Sequence, residues 1–404
     1  MLIKCIPLCV GVFIWLALWL RYTDAARWKV LAPAKEDTPK YHKFAYTFSE
    51  SLLYTFGGES EGTFSSDLKR FDPWRKQWVT LPSVGNVPAP RAGATLTKIG
   101  STLYLIGGYN QNGTLGTISQ YDVINNKWTH VYPQGVNKFL PRSGHASCTD
   151  GVNRIYIFGG YNDDGIYLND LHEITISTKT TTEPYSQEIV ASFKLLSTGW
   201  YTTYSSKGGI NPSPKECASM QLVDGKLYLH GGYSYGGSSH DDMWTFDLGD
   251  LKWSQVDSPV VPPPSEGMSS LSLGRSIFYF GGCDFGYAST RCYSDLWRFD
   301  TTSSRWYIIP TSGINPSGRA YAALAFVNDT FVLYGGSKLD KKAFDDSYQL
   351  VELQPCTDPD HTCLGRGSCL GVSCRCNTGF TGYDCSISLQ GTQGPPDTPT
   401  HTEM

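Results

Sequence analysis

Short apolar runs separated by polar turns recur along the chain, and the clearest of them end in a pair of glycines. Leu53-Tyr54-Thr55-Phe56 precedes Gly57-Gly58, Leu103-Tyr104-Leu105-Ile106 precedes Gly107-Gly108, and Ile155-Tyr156-Ile157-Phe158 precedes Gly159-Gly160. Leu227-Tyr228-Leu229-His230, Ile277-Phe278-Tyr279-Phe280 and Phe331-Val332-Leu333-Tyr334 run into Gly231-Gly232, Gly281-Gly282 and Gly335-Gly336. Successive pairs lie 50, 52, 72, 50 and 54 residues apart. Apolar and β-branched runs of this length, bounded by glycine, predict strands, and a unit of about 50 residues holds about four of them.

A second landmark follows each pair. Asp67, Asp242 and Asp295 each stand eleven residues before a tryptophan (Trp78, Trp253 and Trp306), with Phe71-Asp72, Phe246-Asp247 and Phe299-Asp300 in step between them. In the second unit Thr117 takes the aspartate's place ahead of Tyr121-Asp122 and Trp128. Twisted sheets that fan out from an axis are crowded inside and splayed outside. Glycine suits the crowded end, and aromatic side chains fill the widening wedge. These landmarks resemble the kelch-repeat family over about residues 27–353. The resemblance implies an all-β fold, a six-bladed β-propeller spanning residues 26–354.

Two departures have local explanations. The 72-residue interval carries an insertion near residues 178–198, between the third and fourth strands of its unit, if Trp200-Tyr201 is matched to Trp306-Tyr307. The last unit lacks its tryptophan, because Cys356 follows soon after Tyr348-Gln349-Leu350-Val351. The stretch Arg27-Trp28-Lys29-Val30-Leu31 is expected to supply the missing strand and close the ring, which removes exposed sheet edges.

The ends read differently. Residues 1–25 combine Lys4, an apolar run from Cys5 to Leu20 and the small-residue stretch to Ala25, the pattern of a cleaved signal peptide; an uncleaved anchor is the alternative. Ten cysteines then remain, and the sequons at Asn112 and Asn328 fit a secretory route and glycosylation. Cys356, Cys363, Cys369, Cys374, Cys376 and Cys385 are spaced in a pattern that resembles an EGF-like module over residues 355–386. That resemblance implies the pairs Cys356–Cys369, Cys363–Cys374 and Cys376–Cys385; spacing alone leaves the pairing open. Cys283 and Cys292 flank one loop and are expected to pair, while a Cys148–Cys217 pair is left open. Residues 387–404, rich in Ser, Thr, Gly and Pro, read as a disordered tail.

Composition narrows the function classes. With 40% hydrophobic residues, 17% charged residues and a net charge of −4 over 404 residues, the chain is suited to a large core and offers no basic surface for nucleic acid. The histidines are scattered, and neither a zinc-protease nor a serine-hydrolase motif is present, so neither catalytic residues nor a metal or cofactor is expected. The readings kept as alternatives are a copper enzyme of the galactose-oxidase kind, which is also a propeller, and a structural matrix component. The favoured reading is a secreted or cell-surface protein that binds another protein. Kelch units joined to an EGF-like module resemble attractin-type extracellular proteins, although CUB and lectin modules are missing. The resemblance to kelch substrate adaptors implies contacts from residues after the glycine pair, Tyr109, Tyr161, Asp163, Tyr233 and Tyr235, and from cations before the first strand, Arg91, Arg142, Lys215 and Arg319. Those cations have a second reading, as braces that hold the loops through carboxylates.

Overall fold

The computed structural model describes residues 26–32, 40–49, 51–134, 139–182, 185–198, 211–286, 289–327, 330–338, 340 and 342–351, with four short strands between 367 and 388. Among these residues the regular structure is all strand. The first is β1 (Ala26–Ala32). An antiparallel sheet follows from β2 (Ala45–Ser49), β3 (Leu52–Phe56), β4 (Leu68–Asp72) and β5 (Gln77–Thr80). The same up-and-down order holds for β6 (Thr95–Ile99), β7 (Thr102–Ile106), β8 (Ile118–Asp122) and β9 (Lys127–Gln134). It returns in β10 (Ala146–Thr149), β11 (Arg154–Tyr161), β12 (Tyr167–Thr182) and β13 (Tyr185–Ser197). Next come β14 (Ser219–Val223), β15 (Lys226–His230), β16 (Met243–Asp247) and β17 (Lys252–Val256). After these stand β18 (Ser269–Leu273), β19 (Ser276–Phe280), β20 (Leu296–Asp300) and β21 (Arg305–Ile309). The series ends with β22 (Ala323–Val327), β23 (Thr330–Tyr334) and β24 (Ser347–Val351).

That last set takes its outer strand from the other end of the chain. β1 runs antiparallel to β24, with Trp28 opposite Leu350, and its far edge is covered by Thr311–Gly313 in parallel. The first strands lie against one another in the order β2, β6, β10, β14, β18, β22, and β22 returns to β2, a propeller-like arrangement about an axis.

The packing between neighbouring sheets follows one rule. In every sheet but that of β10–β13, the outer-strand tryptophan meets the side chain just before the glycine pair of the preceding sheet. Trp128 packs on Phe56 at 5.3 Å, Trp253 on Phe158 at 5.5 Å and Trp306 on His230 at 4.7 Å between ring centroids. Trp28 meets Phe280 at 5.6 Å, and Trp78 meets Tyr334 at 4.6 Å. His230 therefore does an aromatic residue's work; burial lowers its pKa to about 4, so it packs as a neutral ring.

Glycine at the pairs is a steric necessity. At Gly57, with φ of +68°, a Cβ would stand 2.3 Å from the Arg91 carbonyl oxygen. The next sheet's entry loop crosses at that distance, so no larger residue fits.

The insertion lengthens a hairpin. β12 and β13 pair from Leu171↔Ser197 outward to Thr182↔Tyr185, and Val190–Ser192 also pairs in parallel with Tyr132–Gln134 of β9. Cys283 and Cys292 form a disulfide across a short antiparallel pair of strands, whereas Cys148 and Cys217 are separate free thiols. Near the end, the backbones of Gly367–Leu370 and Ser373–Cys376 pair antiparallel. Residues 1–25, Trp200, Asn328, the side chains of Cys356, Cys363, Cys369, Cys374, Cys376 and Cys385, and residues 389–404 lie outside the described residues, whereas Ile387–Ser388, expected in the tail, pairs antiparallel with Phe380–Thr381.

Candidate functional site on the axial rim

The connections from second to third strand and from one sheet to the next share one rim, because each entry loop bridges to the residue after the glycine pair: Ala92 to Tyr109, Ser143 to Tyr161 and Glu216 to Tyr233. The four cations proposed for partner contact enter this rim but do not reach its surface. Arg142 is fully buried and donates to the Gly159 carbonyl (3.0 Å) and to both oxygens of Asp170 (2.6 and 2.8 Å). Arg319 donates to the Gly335 carbonyl at 2.9 Å and to Asp346, with Phe344 under its guanidinium at 4.0 Å. Lys215 donates to Asp242 at 2.6 Å. These are struts that tie an entry loop to the repeat aspartate and the glycine turn, so bracing is the role their contacts show. The Asp170 carboxyl illustrates the balance: burial alone would raise its pKa, but hydrogen bonds from Arg142 and His172 hold it well below the usual carboxylate range.

Arg91 is the exception among the struts. Its aspartate is replaced by Thr117, so the guanidinium donates only to neutral oxygens, Gly107 O and Thr117 Oγ1, both at 2.9 Å, and Ala89 O at 3.0 Å. Burial lowers its pKa to about 10.

The five proposed contact residues that are not cations lie on the rim itself. Tyr109 packs on Phe64 and donates to Glu59 at 2.6 Å. Asp163 accepts the Thr114 N–H of the neighbouring hairpin at 2.8 and 2.9 Å. Tyr161, Tyr233 and Tyr235 gather around Tyr167, with ring centroids 5.0, 6.2 and 4.7 Å from it. Tyr235 is 42% exposed, and its hydroxyl donates to the Gly165 carbonyl at 2.7 Å.

Where the rim meets the axis, one residue of each entry loop takes a left-handed backbone: Lys43, Gly93, Gly144, Cys217, Gly267 and Tyr321, with φ between +53° and +66°. They are hydrogen-bonded head to tail as a collar. Gly93 N–H donates to Lys43 O, Gly144 to Gly93, Cys217 to Gly144, Gly267 to Cys217 and Tyr321 to Gly267, at 2.6 to 2.9 Å. Three members are not glycine, and a side chain in this conformation costs about 1–2 kcal/mol. Their side chains converge: the Lys43 ammonium stands 5.1 Å over the Tyr321 ring, and the Tyr321 hydroxyl donates to Glu266 and lies 3.7 Å from the Cys217 sulfur. Below them a cavity of about 530 Å³ follows the inner strands, lined by Thr95, Thr97, Ser147, Ser219 and Ser270 among others.

This mouth holds two carboxyls and one ammonium. Burial, opposed by Lys43 and Tyr321 and aided by Glu216, pushes the Glu266 carboxyl up to about 7, and Glu216 is shifted the same way. Burial would lower the Lys43 ammonium, but Cys217, Glu266 and Glu216 around it raise it above an ordinary lysine. Among the described residues no group of three or more His, Cys, Asp or Glu side chains is placed to hold a metal ion.

Known proteins are similar to this chain over most of its length. Residues 16–184 and 132–336 match the family described as the KLHDC2/KLHL20/DRC7 Kelch-repeats domain, which covers most of the chain. The chain belongs to this kelch-repeat family. Kelch domain-containing protein 3 of Bos taurus is 26% identical over 328 residues, spanning 74% of this chain and 78% of that protein. Host cell factor homolog hcf-1 of Caenorhabditis elegans is 25% identical over 414 residues, 91% of this chain and 50% of its own length. Leucine-zipper-like transcriptional regulator 1 homolog of Drosophila melanogaster is 24% identical over 348 residues, 81% and 33% respectively.

Within this kelch framework, sequence reading missed Tyr167 and the collar. A signal for the collar was present: Lys43, Cys217 and Tyr321 fall two places after Tyr41, Lys215 and Arg319, where the neighbouring repeats carry glycine. Side chains at three of the repeat's glycine places mark an altered axis.

Proposed function

We propose that this chain is a secreted or cell-surface kelch protein that binds a partner protein through the rim carrying Tyr161, Tyr167, Tyr233 and Tyr235. The observation that carries the reading is the aromatic cluster, with Tyr235 exposed, mounted on loops whose backbones the buried struts hold rigid. Tyrosine presented on a stiff frame offers large contact area at low entropic cost, and kelch relatives point toward interaction rather than chemistry. The finer reading is a six-leaf ring latched by β1, followed by an EGF-like module at 355–386 and preceded by a cleaved leader. The order of inner-strand contacts supports the ring, and the cysteine spacing supports the module. Asn112 is exposed in the rim hairpin beside Tyr109, so a glycan there would border the contact surface and limit a partner's approach from that side.

The test uses the full chain expressed through the secretory route, with surface cross-linking to cultured cells. Tyr161→Ala with Tyr235→Ala is compared with Val152→Asp, on an exposed turn at the other end of the sheets. The rim variant is expected to lose the cross-linked partner while the turn variant keeps it. Retention by the rim variant and loss by the turn variant would place the contact on the other face.

A further inference from the structure

The two rim hairpins that present the tyrosine cluster have one-sided charge. Residues 161–167 and 233–242 contain Asp163, Asp164, Asp241 and Asp242 and not one Lys or Arg. Asp242 is spent on Lys215 and Asp163 accepts the Thr114 N–H, while Asp164 and Asp241 are exposed. Behind the cluster, toward the axis, stands Glu216, half-buried and joined to Tyr233 by paired backbone hydrogen bonds of 2.9 Å each. Glu266 follows one entry loop further round.

The opposite flank of the mouth shows what such an arrangement accepts. There the chain supplies its own alkylammonium: Lys43 lies over the face of Tyr321, among Glu216, Glu266 and the Tyr321 hydroxyl. On the tyrosine flank, no described Lys or Arg stands over the ring of Tyr161, Tyr167 or Tyr235. The hairpin of the last sheet, across the axis, instead mixes charge, with exposed Lys338 and Lys342 beside exposed Asp340. An aromatic face backed by carboxylates attracts a cation through the ring quadrupole and through charge together.

We infer that the rim between β11–β12 and β15–β16 is a receptor for a basic side chain, arginine or lysine, on an exposed extended segment of the partner protein, seated on Tyr167 and Tyr235 with Glu216, Asp163 and Asp241 around it. This rests on the rim reading above and names the chemistry of the partner. Arginine suits the site best, because its flat guanidinium stacks on a ring and donates to a carboxylate at once.

The experiment measures fluorescence anisotropy of labelled octapeptides against the full secreted chain: one bearing arginines spaced by glycine and serine, one with glutamates in their place, and one with glutamines. The arginine peptide is expected to bind at least about tenfold more tightly than either other peptide, and to weaken as salt rises from 50 to 200 mM, roughly as charge screening requires. Tyr235→Ala and Asp241→Asn should each weaken it about threefold, the size of an exposed cation–ring contact, whereas Tyr235→Phe, which keeps the ring, should bind like the parent. Equal affinity for the three peptides, no binding of the arginine peptide, or indifference to Tyr235→Ala overturns the inference. The rim reading is separable from it. If the cross-linked partner is lost from the rim variant yet is displaced by the glutamate peptide and not by the arginine one, the rim stands and the basic partner falls.

Discussion

The loop struts and the axial mouth are both buried charge systems, less than a loop apart in sequence, and they are built on opposite principles. In a strut one cation meets one carboxylate and one carbonyl, as at Arg319 with Asp346 and Gly335. In the mouth Lys43 faces both Glu216 and Glu266, and burial, against the pull of Lys43, pushes the Glu266 carboxyl up to about 7. A matched pair can be satisfied inside the fold. A mismatched trio, set beside the left-handed Lys43, Cys217 and Tyr321 of the collar, is retained at a stability cost, as groups that serve a ligand often are. The first kind of site holds the rim still, and the second is the one proposed to serve recognition.

The largest effect should come from breaking a matched strut. Asp346→Ala leaves the fully buried Arg319 guanidinium without its counter-charge and is expected to cost about 3 kcal/mol in denaturant unfolding. A loss under about 1 kcal/mol would mean that the struts carry little, and the contrast with the mouth would dissolve.

A smaller effect, of distinctive sign, belongs to the mouth. Glu266 has a folded pKa of about 7, above its unfolded value of 4.5, so the folded state binds the extra proton between those values. Stability should therefore fall as pH rises from about 5 through 7, and Glu216 adds to the same trend. Asp170 works in the other direction and in another window: its depressed carboxyl stabilises the fold above its unfolded pKa and loses that contribution as pH falls below about 4. Glu266→Gln should flatten the slope between pH 5 and 7 and leave the acid limb intact. An unchanged slope would show that the trio does not titrate in that range.

The smallest effect is a repair. Thr117→Asp restores the repeat's carboxylate beside Arg91, which now donates only to neutral oxygens. It should stabilise the fold by about 1 kcal/mol in the same unfolding assay, and no gain would show that the carbonyl bonds already suffice.

How much of this was legible follows from the same contrast. The strands, the glycine turns and the tryptophan wedges repeat with one spacing, so each copy corroborates the others. The closing role of Trp28 could be read because one copy lacked its tryptophan, and its seat between Phe280 and Tyr348 now accounts for it. The struts were half legible. The residue types before each first strand and at each repeat aspartate were plain, but only the folded loops decide whether a guanidinium points inward or out. The collar left only a positional signal, side chains at three of the repeat's glycine places, because its members differ in chemistry and meet only when residues as far apart as Lys43 and Tyr321 are brought together around the axis. Tyr167 escaped for a related reason: it lies in the rim hairpin opposite Tyr161, and the other repeats have no tyrosine in step with it. Repetition reveals structure, and the departures from repetition hold the specificity.

The most direct test sets stability against recognition in a single variant, Glu216→Gln, by recording its melting temperature and its affinity for the arginine peptide side by side. If the mouth serves a ligand, the melting temperature should stay within about 2 °C of the parent while the arginine affinity drops at least about threefold. A melting temperature that falls as far as that of Asp346→Ala, with peptide binding untouched, would make Glu216 one more brace and contradict the account.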